Sequence, residues 1–290
     1  MKKYFKLLRI SHWTKNALIL LPVIFSGNLF NLKLFGTSLL GVLTFSVLSS
    51  IIYINNDIED IEKDKKHPKK KFRPLPSGEI SIKQANVIKY ILLLIVILLT
   101  SLLVYISKNI YAPIILLAYF IINIAYSKGL KNIAIIDVVI LVSGFLLRVL
   151  FGSIITGIEI SNWLYLMVMS ASFYLGFGKR RNEIIKNGKK AREVLKSYNK
   201  EFLDKNMYSC LTLSIVSYSM WATDSNVIAR VGNNLLIWTI PLIMIIFMLY
   251  SLEIEQDSLG DPVDVIINNK KILAMIFIYG LAMFSILYVI

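Results

Sequence analysis

Apolar residues fill this chain in long blocks that are separated by short polar segments. Nine blocks stand out, and most are close to the roughly 20 residues that a helix needs to cross the hydrocarbon core of a membrane. Their predicted limits are 17–35, 38–56, 88–107, 110–126, 133–152, 162–178, 207–224, 234–252 and 271–290. The pattern predicts an all-α, polytopic integral membrane protein in which nine transmembrane helices form a single domain over residues 1–290.

The composition also indicates a membrane protein. Of the 290 residues, 56% are hydrophobic and only 17% are charged, whereas soluble domains are roughly 45–50% apolar and 25% charged. Ahead of the first block, basic and aromatic residues are mixed between Lys2 and Trp13, which is typical of a helix lying in the membrane interface. Cys210 is the single cysteine, so an intramolecular disulfide cannot form.

Basic residues are concentrated on one side of the predicted membrane. Of the 32 lysines and arginines, 28 fall in the N-terminal segment and in alternate loops, while the opposite loops hold only Lys33, Lys108 and Arg230. Because basic loops stay in the cytoplasm, the N-terminus is predicted to be cytoplasmic, in a multi-pass protein of the cell membrane. The net charge of +14 then belongs to one membrane face, where anionic lipids and substrates are better partners than nucleic acid.

Residues 53–78 form the most charged segment in the first half of the chain, and Asn56, Asp57, Asp60 and Asp64 come first. If the helix of the second block continues to Asp64, positions 56, 60 and 64 share one face, because each step of four residues drifts by only about 40°. Oxygen ligands at one side of a helix end suit Mg²⁺, which shares its coordination with water and substrate phosphates. The segment therefore predicts a magnesium site.

Basic residues follow the acidic ones in the same segment. Lys70 and Arg73 are candidates for direct contact with phosphates, because cations beside carboxylates suit a ligand made of metal and diphosphate. Lys65, Lys66 and Lys69 are interpreted as a solvated surface at the membrane border.

Other ionisable residues lie in or beside the apolar blocks. Asp137 and Arg148 fall within the fifth block, about three turns apart and nearly on one face. Such residues usually face a bundle interior or a wet cavity. Lys179, Arg180 and Glu183 follow the sixth block directly, so they can point into the mouth of a bundle.

These residues together resemble the UbiA superfamily of intramembrane prenyltransferases. Asn56, Asp57, Asp60 and Asp64 match its N-D-x-x-D-x-x-x-D signature, which by itself specifies the superfamily. Further stretches resemble its decaprenyl-phosphate phosphoribosyltransferase branch, and G-K-R-x-x-E is the most discriminating of them. The stretches are W-T-K-N (13–16), N-D-I-E-D to F-R-P (56–74), A-Y-S-K-G-L-K (125–131), S-G-F-L-L-R (143–148), G-K-R-R-N-E (178–183) and, more weakly, L-G-D-P-V-D-V-I (259–266).

The resemblance implies a nine-helix UbiA-like bundle with a cytoplasmic active-site mouth. It implies an enzyme that transfers a 5-phosphoribosyl group from phosphoribosyl diphosphate (PRPP) to a polyprenyl phosphate and releases diphosphate. The product would serve the synthesis of cell-surface glycans. Mg²⁺ would bind Asn56 and Asp60, with Asp57 and Asp64 as further catalytic residues.

The resemblance also assigns the remaining site residues. Lys179 and Arg180 would hold the acceptor phosphate, and Glu183 would orient them, where aromatic prenyltransferases carry a second acidic motif. A phosphate acceptor is already ionised, so a strong protein base is not required. The implied substrate-binding residues are Lys15, Tyr53, Lys70, Arg73, Lys131, Asp137 and Arg148.

Two other functions remain open at this point. An aromatic prenyltransferase of the same superfamily would use a prenyl diphosphate, and Asp257, Asp261 and Asp264 could supply its second acidic cluster. The interpretation favoured for those three residues is that they balance the basic mouth of the bundle. A transporter could use Asp137 and Arg148, but transporters place binding groups near the midplane between repeats, and here the ligands gather at one face. Polyprenyl length and oligomeric state do not follow from the sequence.

Cysteine substitutions at Ser77 and Ser197 test the orientation in a chain whose Cys210 is first changed to serine. Both positions lie in loops on the side that carries the excess of basic residues. A thiol reagent that does not cross membranes should label them in inverted vesicles and leave them unlabelled in intact cells. Labelling of either position from outside intact cells would refute the nine-span topology.

Overall fold

The computed structural model of the chain describes residues 2–188, 192–255 and 262–290. Every regular element in these ranges is a helix, so the predicted all-α class is confirmed. The chain forms two compact units, Met1–Lys128 with Leu147–Glu159 and Gly129–Leu146 with Ile160–Ile290. The single domain expected over residues 1–290 stays a prediction.

The first unit is built around one long helix, α3. Its helices are α1 (Lys2–Leu8), α2 (Leu21–Phe25), α3 (Leu32–Glu59), α4 (Ile61–Lys65), α5 (Ile82–Ser107), α6 (Tyr111–Ser127) and the part of α7 (Ile136–Thr156) from Leu147 onward. Phe45, Leu48 and Ile52 of α3 belong to a buried apolar core with residues of α5, α6 and α7. A smaller core joins Leu7 of α1 to Ile54 of α3 and to the chain around α4 and α5. Both cores lie against α3, so this helix positions the polar residues at its own C-terminal end.

The first apolar block, 17–35, is not one continuous helix. Residues Ile10–Leu20 form a 3-10 helix, and the short α2 that follows begins beside Pro22. Buried Asn16 explains this path, because its side-chain amide donates to the hydroxyl of Ser46 at 2.7 Å and so ties the segment to α3. The cap residue Asn31 then starts α3 at Leu32, six residues before the predicted limit of 38.

The second unit has a separate core. Its helices are α7 up to Leu146, α8 (Asn162–Asn187), α9 (Lys200–Ala222), α10 (Ser225–Val231), α11 (Ile240–Glu255), α12 (Pro262–Asn268) and α13 (Lys270–Tyr288). Val138 and Val142 of α7 share this core with Tyr174 of α8, Met207 of α9 and Tyr250 of α11. Within this unit, the start of α7 and the end of α8 are therefore held in one packed cluster.

Helix α8 is longer than the sixth apolar block, whose predicted end is residue 178. It continues to Asn187, so the charged stretch from Lys179 to Glu183 is helical and not a loop. Arg180, Arg181 and Asn182 are buried there, with 0%, 2% and 4% of their surfaces exposed. Burial requires charged groups to be paired, and that pairing allows the helix to extend beyond its apolar part.

Five described helical segments are long and apolar enough to cross a membrane. They are Leu32–Glu59, Ile82–Ser107, Ile136–Thr156, Leu235–Glu255 and Lys270–Tyr288, and Tyr111–Ser127 is a shorter apolar helix. Many large apolar side chains of α5 are exposed, including those of Ile91, Leu94 and Leu98. Surfaces of this kind suit lipid, so the chain is a multi-pass membrane protein, while nine crossings remain a prediction.

Gly152 provides a test of packing in the first unit. A Cβ atom added at Gly152 of α7 would lie 2.2 Å from the backbone oxygen of Ile19. We expect Gly152→Ala to destabilise the protein by about 1–3 kcal/mol, because backbone must move to relieve the overlap. The measurement is thermal unfolding in detergent.

Gly36 of α3 is the matched control, because a Cβ atom added there meets nothing within 4 Å. Alanine is the better helix former, so Gly36→Ala should leave the melting temperature unchanged or raise it slightly. Equal melting temperatures for the two variants would show that α7 and the segment near Ile19 are not packed as described.

Candidate active site

The acidic motif lies where α3 meets α4. The predicted continuous helix is interrupted at Asp60, which has φ −94° and ψ 8°. The backbone spacing survives this interruption, because the Asp60 amide donates to the Asn56 carbonyl at 3.0 Å and the Asp64 amide donates to the Asp60 carbonyl at 2.8 Å. The two short helical steps therefore keep these three residues at successive turns, as the spacing predicts.

The motif carboxylates nevertheless differ in their surroundings. Asp57 and Asp64 are buried, with 3% and 1% exposure, while Asn56 and Asp60 are half-buried. The Asn56 side-chain oxygen accepts a hydrogen bond from the Ser127 hydroxyl at 2.7 Å. Within the described residues, the Asp60 carboxylate has no hydrogen-bond or ion-pair partner, so its oxygens are available to a ligand.

Arg73 and Arg9 occupy the two buried carboxylates. Nη1 of Arg73 lies 2.6 Å from Oδ2 of Asp64 and 3.2 Å from Oδ1 of Asp57. Arg9 forms a second ion pair with Asp57, and Nζ of Lys70 lies 3.6 Å from Oδ1 of Asp64. These pairs neutralise both buried charges and tie the segment 69–74 to the end of α3.

The side-chain oxygens of the acidic motif meet the coordination requirements of magnesium to different degrees. Among the described residues, three or more Asp, Glu, His or Cys side chains do not converge on a common metal position. Mg²⁺ does not need such a cage, because it usually keeps several waters and takes only one or two protein carboxylates plus substrate phosphates. The half-buried oxygens of Asn56 and Asp60 fit that requirement better than the neutralised carboxylates of Asp57 and Asp64.

Arg9 is a site residue that the sequence analysis placed only in the interfacial segment. It joins α1 to the 3-10 helix in the left-handed conformation, with φ 49°. Its guanidinium carbon lies 4.6 Å from the ring centre of Tyr53, one turn before Asp57, and the His12 ring is 5.6 Å from the same ring. Its long-range contacts with Asp57 and Tyr53 distinguish Arg9 from an ordinary basic residue near a membrane.

Arg148 is buried inside the first unit among polar and aromatic side chains. Its exposure is 5%. Nε donates to the Asn16 side-chain oxygen at 2.7 Å, and Nη2 donates to the Tyr119 hydroxyl at 3.0 Å. The guanidinium also lies 4.8 Å from the Phe45 ring centre, in the range of cation–π contacts. Lys15, on the same 3-10 helix as Asn16, is half-buried.

A second charged cluster joins α7 to α8 in the second unit. Asp137 and Arg180 are both fully buried, and Nε of Arg180 donates to Oδ2 of Asp137 at 2.5 Å. Nη1 of Arg180 donates to Glu183 at 2.8 Å. Two carboxylates therefore face one guanidinium, and Asp137 orients Arg180. Lys179, eight residues before the end of α8, is half-buried. Lys131, in the middle of the short 3-10 helix Leu130–Asn132, is half-buried too.

Tyr198 completes this cluster and was missed by the sequence analysis. Its hydroxyl donates to Oδ1 of Asp137 at 2.7 Å and accepts from the amide of Ile135 at 2.6 Å. Burial raises the pKa of Tyr198, so the phenol keeps its proton and remains a donor at neutral pH. Ile135 is held with φ 71°, a strained conformation for a β-branched residue, immediately before α7.

Arg181 is a further buried cation that the sequence does not distinguish from its neighbours. Its guanidinium binds Asp204 of α9 at 2.5 Å and Glu255 of α11 at 2.6 Å. These contacts fasten the end of α8 to two other helices. The alternative acidic cluster cannot be placed, because Asp257, Asp261 and the side chain of Asp264 lie outside the described residues.

Known proteins resemble the chain over most of its length. The family model described as the UbiA prenyltransferase family matches residues 18–257. Decaprenyl-phosphate phosphoribosyltransferase of Corynebacterium glutamicum is 28% identical over 286 residues, which cover 96% of this chain and 85% of the relative. Digeranylgeranylglyceryl phosphate synthase of Saccharolobus solfataricus is 30% identical over 215 residues, or 74% of this chain and 70% of the relative.

A solved structure supports the fold. The UbiA homolog from Archaeoglobus fulgidus bound to GPP and Mg²⁺ superimposes with a TM-score of 0.68 at 20% identity, and the match covers 98% of this chain and 99% of that one. At this identity the likeness concerns the fold.

Asp137→Asn tests the cluster around Arg180. The substitution leaves a buried guanidinium with one carboxylate fewer, so we expect a loss of stability of about 3–5 kcal/mol. Glu201→Gln is the control, because it removes the carboxylate of an exposed pair with Lys205 whose side chains are 77% and 74% exposed. Thermal unfolding in detergent should separate the two variants, and equal melting temperatures would contradict a structural role for Asp137.

Proposed function

The chain belongs to the UbiA prenyltransferase family, and from that premise we propose that it transfers a 5-phosphoribosyl group from PRPP to a polyprenyl phosphate. A phosphate oxygen of the acceptor forms a bond to the anomeric carbon, and the bond from that carbon to the diphosphate oxygen breaks. The diphosphate leaves with the bonding electron pair. The acceptor oxygen is already ionised, so no proton has to be removed from it.

One observation carries the proposal. Lys179 and Arg180 lie in the last part of α8, where the family likeness leads us to expect metal-binding carboxylates in an enzyme that uses a prenyl diphosphate. The same residues lie in a chain that aligns over 96% of its length with a relative named decaprenyl-phosphate phosphoribosyltransferase. The chain is a transferase similar to that relative. Cations at this position favour direct contact with an anionic acceptor.

Asn56 and Asp60 are proposed to hold Mg²⁺ together with the donor diphosphate. When bound, the ion neutralises the charge that develops on the leaving diphosphate. Ser127 fixes the Asn56 amide by donating to its oxygen, so the nitrogen points away from that hydroxyl. Asp57 and Asp64 act differently in this proposal, because their oxygens hold Arg73 and Arg9 and thereby position the segment that carries Lys70.

The donor's phosphates are proposed to bind cations and hydroxyl groups from several elements. The Lys70 side chain is 40% exposed, and its Nζ lies 3.6 Å from Oδ1 of Asp64. Lys70 can therefore contact a ligand that binds beside the acidic motif. Arg73 is a positioning residue for Lys70, because its ion pairs with Asp57 and Asp64 anchor the segment that carries Lys70. The other proposed donor-binding residues are Lys15, Tyr53, Lys131 and Arg148. Positioning and charge then supply most of the rate acceleration.

Lys179 and Arg180 are proposed to hold the acceptor phosphate. Arg180 is oriented by Asp137 and Glu183, which fix its plane at 2.5 and 2.8 Å. Lys179 is half-buried one residue earlier on α8. In this arrangement Asp137 acts through Arg180 and does not contact the substrate itself.

The proposed setting is the cell membrane, with nine crossings, a cytoplasmic N-terminus and a cytoplasmic active-site mouth. The distribution of basic residues supports this orientation. PRPP is a soluble anion, so a cytoplasmic mouth would give it access. The lipid-linked pentose phosphate would serve cell-surface glycan synthesis.

An aromatic prenyltransferase is the alternative function. The 30% identity to a relative named digeranylgeranylglyceryl phosphate synthase keeps prenyl transfer open as the alternative. The deciding experiment gives the purified protein, in lipid nanodiscs with Mg²⁺, either PRPP and a panel of polyprenyl phosphates or a prenyl diphosphate and an aromatic acid. Mass spectrometry should find a polyprenyl phosphoribose product in the first case only. A prenylated aromatic product with PRPP left intact would refute the proposal.

Lys179→Gln should weaken use of the acceptor. Loss of one charge-assisted contact is expected to reduce kcat/KM for polyprenyl phosphate by about 10- to 100-fold. Binding of PRPP should persist, because the proposed donor residues are unchanged. Lys186→Gln is the control, since Lys186 is exposed on the same helix. Acceptor titrations at fixed PRPP measure both variants, and unchanged kinetics for Lys179→Gln would remove this residue from the acceptor site.

Asp60→Asn should abolish turnover without unfolding the protein. An uncharged amide is a weaker ligand for Mg²⁺ than a carboxylate, so the complex of metal and diphosphate should be lost. Glu62→Gln in the adjacent α4 is the control, because the Glu62 side chain is 81% exposed and pairs with Lys65. Activity is measured over a range of Mg²⁺ concentrations, and near-normal turnover at saturating Mg²⁺ would exclude Asp60 from the site.

A further inference from the structure

A cavity of ≈ 540 Å³ lies beside α1 in the first unit. Its walls come from α1, from the start of the 3-10 helix after it, and from the segment 69–74. Asn56 and Asp60, the proposed metal ligands, do not line it, whereas Asp57 does. The cavity is therefore separate from the oxygens assigned to the metal.

The lining of this cavity is strongly basic. Lys6, Arg9, Lys69 and Arg73 face one carboxylate, that of Asp57. Both arginines already bind Asp57, so this single negative charge is shared between them. The side chains of Lys6 and Lys69 have no hydrogen-bond or ion-pair partner in the part of the chain that the structure describes. Arg73 also binds Asp64, which is outside the lining, so four cations meet two carboxylates. The excess of positive charge that remains suits an anionic ligand.

Arg9 and Arg73 also have N–H groups that are not hydrogen-bonded within the described residues. A guanidinium has five N–H donors. Arg9 uses Nη2 for Asp57, and Arg73 uses Nη1 for both of its carboxylates. Among the described residues, Nε and Nη1 of Arg9 and Nε and Nη2 of Arg73 have no acceptor. Planar guanidinium groups with unused N–H pairs are well suited to phosphate oxygens.

The rim of the cavity is apolar and exposed. Phe5 and Phe72 line it from opposite segments, with 54% and 68% of their surfaces exposed. Leu7, two residues after Phe5, is fully buried in the core that includes Ile54, so α1 is anchored while its other face is open. A basic helix with aromatic residues on its exposed side is typical of the membrane interface. Lipid chains would cover the rings of Phe5 and Phe72, whose exposure to water is unfavourable.

We propose that this cavity binds the phosphate head group of an anionic membrane lipid, with Lys6, Arg9 and Lys69 as its ligands and the acyl chains against Phe5 and Phe72. The site is additional to the donor and acceptor sites of the proposed reaction. A soluble phosphate ester shares the head-group chemistry but has nothing to place against the two phenylalanines. The volume admits a phosphate with its glycerol, and bound lipid would fix α1 at the membrane surface.

The test uses delipidated full-length protein in detergent, titrated with phosphatidylglycerol and observed by native mass spectrometry. Lys6→Gln/Lys69→Gln should weaken the first bound phosphatidylglycerol by about tenfold or more, because two charge-assisted contacts are lost. Lys2→Gln/Lys66→Gln is the matched control. It removes the same charge from α1 and from the segment that follows α4, at exposed residues outside the cavity lining. This control should change the affinity less than twofold.

Measurements of stability and of competition distinguish a specific lipid site from general surface charge. Lys6 and Lys69 hold no other group in the described residues, so the melting temperature of their double variant should equal that of the unaltered protein. Phosphatidylcholine should bind more weakly than phosphatidylglycerol, and glycerol 3-phosphate should not displace the lipid. An equal loss of phosphatidylglycerol affinity in both double variants would show that only surface charge matters. That result would overturn the proposal. Displacement by glycerol 3-phosphate would also overturn it, because the ligand would then be a soluble phosphate ester.

Discussion

The ion pairs of Arg73 with Asp57 and Asp64 are the interaction on which the first unit's site depends. Two carboxylates buried within one motif would repel each other without nearby cations. Nη1 of Arg73 lies within 2.6 and 3.2 Å of them, and Arg9 adds a second cation to Asp57. Two members of the motif can therefore be buried, because each carboxylate is paired with a guanidinium. The remaining pair, Asn56 and Asp60, is half-buried and is proposed to hold a metal and its diphosphate.

A similar arrangement occurs in the second unit. Arg180 is fully buried, and the carboxylates of Asp137 and Glu183 compensate its charge. Removing a guanidinium from water is costly unless such partners are fixed in advance. Tyr198 and the strained backbone at Ile135 hold Asp137 in place. In both units, then, buried ion pairs orient the cations that are proposed to meet phosphate groups.

Much of the fold could be predicted from the sequence, because apolar blocks of membrane-spanning length dominate it. The prediction of one continuous helix over 17–35 was wrong. Asn16 and Pro22 direct the start of that segment into a 3-10 helix packed on α3. The end of α8 was also placed too early. Its charged residues have the local pattern of a solvated loop, and only pairing with distant residues makes them helical and buried.

The same limit applies to the site. The motif spacing predicted the positions of Asn56, Asp60 and Asp64, because backbone hydrogen bonds maintain the four-residue step. Arg9 and Tyr198 could not be found this way, since their partners Asp57 and Asp137 are 48 and 61 residues distant in the chain. A local pattern carries no information about such pairs. It also cannot distinguish a carboxylate that binds metal from a neighbouring one that binds arginine.

Binding of Mn²⁺, used as a paramagnetic substitute for Mg²⁺, tests this division of the motif most directly. Electron paramagnetic resonance can count the ions bound to the folded protein in the presence of diphosphate, independently of turnover. The account predicts that Asp64→Asn retains the bound ion while Asp60→Asn loses it, because Asp64 holds Arg73 and Asp60 holds the metal. Loss of the ion in a folded Asp64→Asn protein, or its retention in Asp60→Asn, would contradict the account.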